Sequence, residues 1–306
     1  VNKLYIIGNG FDLHHGLPTS LTGFRDYSKH SEFHRLYENG VFMMSANQTL
    51  DEYWQQLETN LANFDVDALI EYAGQYYDDD PHENQFIYEV ENAIGALTVG
   101  LKKDLNSYLS LAESRTVEDG KVLPIDTSAR FLCFNYTNTL ERIYNISSDR
   151  ICYIHGKLNS TDAPIVVGHG IEASDYKAPP SIDISTLTEE EVEAFSDSYS
   201  PDYEYAVSEA HGYFKQNHKD TAACVQASST FLQSLVDIER VVILGHSLAL
   251  IDKPYFDYVN KIVGPNCQWW ASYYPSSEEE AIRSRLEEIV DDENRMKLID
   301  MSLLTK

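Results

Sequence analysis

The chain has 306 residues, 43% of them hydrophobic, and a formal net charge of −26. That length suits one large α/β domain, or a core domain with a substantial insertion, and no window approaches the ~20 apolar residues of a membrane span. A surface this acidic gains nothing from releasing the counterions of a polyanion, which disfavours general nucleic-acid binding.

Lys3 to Ile7 is a short apolar run ending in Gly8 and predicts a buried strand. After Pro18 the pattern turns helical for about a hundred residues. Leu50 to Tyr72 carries Tyr53, Trp54, Leu57, Leu61, Phe64 and Leu69 near helical period, and Asn84 to Leu111 repeats it beyond Asp80-Pro81. Trp54 and Glu58 fall one helical turn apart, which fits core packing with a capping or salt-bridging Glu, or a Glu that reaches a site. Strand signals return at Arg130–Phe134, Ile151–Ile154, Pro164–Val167 and Val241–Leu244, then at Gln268–Tyr273, with a last strand expected in Lys297–Leu303. Thr139–Tyr144, Tyr203–Val236 and Glu278–Val290 predict helices, and 171–200 predicts a long acidic loop with a short helix. The acidic runs at 78–80 and 189–191 read as solvated. The expected organisation is an α/β fold with an open parallel sheet. Its core would comprise 1–30 and 126–306, with a helical insertion over 31–125 and room for a second over 171–236.

Five of these strands end in clusters of Gly, Asn, His or Ser, and ligands of open parallel sheets bind at the carboxyl ends of strands. Gly8-Asn9-Gly10-Phe11-Asp12, with Gly16-Leu17-Pro18 behind it, allows a tight turn and close approach of a phosphate to helix N–H groups. An ordinary strand-to-helix turn needs the same glycines. Asn135 follows its strand directly, where a carboxamide can orient a ribose hydroxyl or a water; Thr137 or Asn138 can cap the next helix instead. His155 beside Gly156 suits a general base near neutral pH, or a satisfied structural histidine. Gly245-His246-Ser247-Leu248 lets a ligand approach and offers a hydroxyl, but it lacks the spacing of a nucleophile elbow. The cysteines, Cys133, Cys152, Cys224 and Cys267, form no C-x-x-C pair and read as reduced thiols of a cytoplasmic protein with no signal peptide. No ligand spacing for structural zinc is present, so no metal is expected.

Together these motifs resemble the bacterial AbiH family of abortive-infection proteins, on the Gly-Asn-Gly-Phe-Asp-Leu opening, Gly16-Leu17-Pro18-Thr19, Phe134-Asn135-Tyr136-Thr137, Ile154-His155-Gly156 and Gly245-His246-Ser247-Leu248. More distantly, they are similar to the sirtuin-like NAD-binding fold, a Rossmann-like parallel sheet. That resemblance implies phage defence through hydrolysis of NAD to nicotinamide and ADP-ribose, with NAD as substrate and no other cofactor. It implies Asn135 and His155 as catalytic residues; Asp12 departs from the pattern and reads as a third catalytic, acid–base group or as one that repels a phosphate. Gly8, Asn9, Gly10 and Phe11 would line the pyrophosphate and nicotinamide ribose, and Gly245, His246 and Ser247 the adenosine half. Asp12 stands where sirtuins carry a small hydroxyl residue, and the zinc-binding cysteines of deacylases are missing. NAD cleavage with water as acceptor is then simpler than deacylation. Expected partners are NAD or a related nucleotide and a phage-borne trigger or partner protein, with room for a homo-oligomer and none for a membrane. The alternatives are a non-catalytic nucleotide sensor, and a metal-dependent nuclease or nucleotidase built on histidines 14, 15, 155, 169 and 246. Catalysis requires Asp12, Asn135 and His155 to converge on one ligand position.

Overall fold

The computed structural model describes residues 1–75, 85–171, 188 and 200–304. Six strands form one all-parallel sheet: β1 Lys3–Ile7, β2 Arg130–Cys133, β3 Ile151–Tyr153, β4 Arg240–Leu244, β5 Gln268–Tyr273 and β6 Met296–Asp300. Their spatial order is β3-β2-β1-β4-β5-β6, the expected α/β Rossmann-like architecture. β1 and β4 are near-continuous apolar runs because strands inside a parallel sheet are covered on both faces. Leu4 and Ile6 enter one core with Leu132, Val241, Ile243 and Trp269, while Tyr5 and Ile7 enter the other with Phe131, Cys133, Val242 and Leu244. A register slip of one residue would exchange the two cores, so the register is firmly specified.

That register positions the candidate site. Ile7 is level with Cys133 on one side and Leu244 on the other, and Cys133 is level with Tyr153. Gly8, Phe134, Ile154 and Gly245 therefore leave the sheet at the same height. Strand order reverses between β1 and β4, the topological switch point at which ligands of such sheets bind.

By contacts the chain divides into two compact units, Val1–Tyr27 with Leu105–Val167 and Lys219–Lys306, and Ser28–Asp104 with Gly168–His218. The first contains the sheet. The second is helical, with a core of Phe33, Tyr37, Phe42, Tyr53, Trp54, Leu61, Phe64 and Tyr213. There the long helix expected over 50–72 is broken. Leu50–Gln55 stops at Gln56, Leu57–Asn60 follows, and Val66–Gly74 starts afresh on the side-chain cap of Asp65. Trp54 and Glu58 thus share no uninterrupted helix. Trp54 is fully buried and donates to Glu38 Oε1 at 2.7 Å. The second long helix is Gln85–Gly95 and Leu101–Glu113 joined by a π-turn, and Tyr203–Val236 resolves into Pro201–Gln216, Thr221–Ala227 and Ser229–Gln233.

Two expected strands change. Pro164–Val167 forms no ladder: it meets its neighbours through single bonds, such as Val166 N–H to the His155 carbonyl at 2.8 Å, and Pro164 has no N–H to give. The last strand is Met296–Asp300, after which Met301–Leu303 turns as a short 3-10 helix. The Asp80-Pro81 break, the acidic runs and most of 171–200 lie outside the described residues. All four cysteines are unpaired, and no helix among the described residues is long and apolar enough to cross a membrane.

Candidate functional site at the carboxyl edge of the sheet

The turns after β1 and β4 are packed directly against each other. Gly8 N–H donates to the Leu244 carbonyl at 3.0 Å, Gly10 N–H to the Gly245 carbonyl at 2.7 Å, and Phe11 N–H to the Gly8 carbonyl at 2.9 Å. A Cβ on Gly8 would lie 2.6 Å from the Gly245 oxygen; one on Gly245, whose φ is +66°, would lie 2.1 Å from Phe11 N. Contact between the two turns is therefore sufficient to require these glycines. The Gly10 and Phe11 amides are engaged within the turns. Phe11 is likewise a core residue, fully buried with its ring 4.5 Å from His15 and 5.7 Å from Tyr144. It does not line an open pocket. Asn9 is exposed and ties its amide to the Thr19 carbonyl at 2.9 Å, and Ser247 is exposed while its carbonyl accepts from Arg285 at 2.7 Å.

Two groups of buried polar residues stand at this edge. In the first, Asn135 Nδ2 donates to the Gly8 carbonyl at 3.0 Å, and Thr137 Oγ1 donates to Asp12 Oδ2 at 2.5 Å. Asp12 is 1% exposed, and its Oδ1 has no hydrogen-bond partner. Burial pushes its carboxyl up to about 6, against the opposing pull of the Thr137, Thr139 and Asn135 side chains and of Arg142. The helix Thr139–Tyr144 takes no side-chain cap from Asn138, and Thr137 is committed to Asp12.

The second group surrounds Phe134, whose ring meets His155 edge-on at 5.1 Å and His246 at 4.4 Å; Tyr255 lies 5.2 Å from His155. Asp252 presents Oδ1 to His155 Nε2 at 3.8 Å and Oδ2 to His246 Nε2 at 3.5 Å, and buried Lys219 reaches Oδ1 at 3.0 Å. Burial, Lys219 and His246 hold His155 well below the ordinary imidazole range. His155 is neutral at pH 7, so its approach to Asp252 is a dipole facing a charge rather than an ion pair.

Of the three expected catalytic residues, then, Asp12 and Asn135 meet in the first group and His155 stands in the second. Phe134 and Asn135, consecutive at the end of β2, join the two. Asp252 lies five residues beyond Ser247 in no motif of its own, and Lys219 carries no sequence signal beyond its charge. Of the other histidines, His15 bonds the Phe11 carbonyl and Tyr144 at 2.6 and 2.7 Å, and His169 lies in the helical unit. Among the described residues, no three or more His, Cys, Asp or Glu side chains are grouped to hold a metal ion.

A family model described as bacteriophage abortive infection AbiH matches residues 4–273. The chain belongs to the AbiH family. The match runs from β1 to the last residue of β5 and includes every residue of both groups. Membership supports a role in phage abortive infection. No curated protein and no solved structure matches the chain.

Proposed function

We propose that this AbiH protein acts in abortive infection by hydrolysing NAD to nicotinamide and ADP-ribose at the carboxyl edge of the sheet. The observation that carries this is the all-parallel order β3-β2-β1-β4-β5-β6, whose turns after β1, β2 and β3 start at one level and lead to buried Asp12, Asn135 and His155. Dinucleotides bind sheets of this order at the switch point. The resemblance of the same motifs to sirtuins adds the glycosidic bond as the one to be cut.

In this reading the C1′–N1 bond breaks and nicotinamide leaves as a neutral molecule with the bonding electron pair. Positive charge builds on the ribose and faces the Asp12 carboxylate. The Asn135 carboxamide, uncharged, orients a ribose hydroxyl or the incoming water. The water oxygen joins C1′, and its proton passes to His155.

The test is chromatographic. Nicotinamide and ADP-ribose are expected to appear when the purified protein, or phage-infected cells expressing it, is supplied with NAD. Asn135→Ala should reduce their release by about 100-fold or more. NAD left intact in both settings would sink the proposal. A stoichiometric thermal shift with NAD and no product would replace catalysis by nucleotide sensing.

A further inference from the structure

Lys219 and Asp252 form a charge pair at this edge that has no part in the cleavage just described. Lys219 is 1% exposed and Asp252 7%. Taking both charges out of water costs several kcal/mol each in effective desolvation, and apolar side chains of similar volume would pack as well. Neither belongs to a strand. Lys219 precedes the helix Thr221–Ala227, and Asp252 closes the 3-10 turn Leu250–Asp252. The pair has a structural cost and no evident packing reason.

The surroundings of Asp252 supply one. Leu248 N–H donates to His246 Nδ1 at 2.9 Å. A neutral His246 ring must then carry its proton on Nε2, the atom turned toward Asp252 Oδ2 at 3.5 Å. His155 Nε2 is buried, makes no hydrogen bond and faces the other carboxylate oxygen at 3.8 Å. A proton on that nitrogen is attracted by the carboxylate, whereas a lone pair there is repelled. Burial pushes the Asp252 carboxyl up and the Lys219 ammonium opposes it. The Lys219 ammonium, 3.0 Å from Oδ1, favours the ionised form of the carboxyl. Phe134 and Tyr255 pack on the His155 ring and restrict its rotation.

We propose that Asp252, charge-balanced by Lys219, is a positioning residue that holds His155 and His246 as their Nε2–H tautomers, which reserves Nδ1 of His155 as the base. The catalytic half of this inference rests on the proposed NAD cleavage; the tautomer half does not. Its logic is that of any carboxylate that fixes which imidazole nitrogen is free to take a proton.

Long-range proton–nitrogen NMR spectra of the full chain carrying 15N-histidine read tautomer and charge directly, with His155→Gln and His246→Gln used to assign the two rings. Both rings are expected to be neutral and protonated on Nε2 at pH 7. Wild-type His155 protonated on Nδ1 alone, or doubly protonated, overturns the inference. Asp252→Asn should convert His155 to a mixture of tautomers and lower kcat for nicotinamide release by about 100-fold or more, with KM for NAD little changed. The double variant Lys219→Met with Asp252→Asn removes both charges together, so the readout survives if the single variant does not fold. Cleavage by the wild type with unchanged kcat in the folded variants defeats the positioning role. Absence of cleavage with the stated tautomers instead removes the NAD reading and leaves the tautomer assignment standing.

Discussion

Asp12 and His15 lie three residues apart, and burial shifts their titrations in opposite directions. Asp12 is pushed up to about 6 and His15 down to about 4. The raised carboxyl contributes stability that is full below the unfolded carboxylate range, falls as pH rises, and is gone above about 6. The depressed imidazole contributes stability that is full above the unfolded imidazole range and is lost as pH falls toward about 4. The two slopes oppose each other between pH 4 and 6, so the wild-type profile alone hides both. Comparing Asp12→Asn with the wild type isolates one of them. The variant should gain about 2 to 3 kcal/mol relative to the wild type between pH 4 and pH 7 in urea denaturation. An unchanged difference across that range would show that Asp12 is not desolvated. At this scale the motif residues were legible in sequence, but their reasons were only half legible. Gly8 and Gly245 stood out as strand-end glycines. That each makes room for the other's turn depends on β1 and β4 being neighbours, which no local pattern states. Lys219 and Asp252 were invisible as a pair, since 33 residues and no period separate them.

Elements are held by a few relays of the same kind. Tyr144 Oη donates to His15 Nε2 at 2.7 Å and accepts from Leu123 N–H at 2.9 Å, while His15 Nδ1 donates to the Phe11 carbonyl at 2.6 Å. This line ties the end of the helix Asn9–His14, which carries Asp12, to the helix Thr139–Tyr144. Tyr144→Phe leaves two buried groups unpaired and should cost about 2 kcal/mol in denaturant unfolding. A loss within error of zero would mean that water replaces the hydroxyl. Periodicity found the six strands that form and the short helix Thr139–Tyr144, because their apolar runs are bounded by Gly, Asn or Thr, but the same signal misread Pro164–Val167. It failed inside the helical unit, where Phe64 leaves the helix and packs its ring, tilted, 4.1 Å from Tyr213, and Asp65 then caps a new helix. Tertiary packing overrode a period that was locally good.

For the whole molecule, charge is the main lever. With 49 acidic and 23 basic residues, the folded state repels itself more than the expanded chain does. Raising salt from about 0.02 M to about 0.2 M shortens the screening length and should lift the thermal midpoint by about 3 °C. A midpoint that falls with salt would show that local ion pairs outweigh this repulsion. The placement of β1 has a further consequence, in time rather than space. β1 lies in the middle of the sheet, and its paired residues in β2 and β4 lie 126 and 237 residues later in the chain. During synthesis β1 waits until β2 and β4 have been made, a non-local pairing of the kind that slows folding. Asp12 likewise waits for Asn135, and His155 for His246 and Asp252. A nascent or truncated chain that lacks β4 and Asp252 therefore lacks the assembled edge.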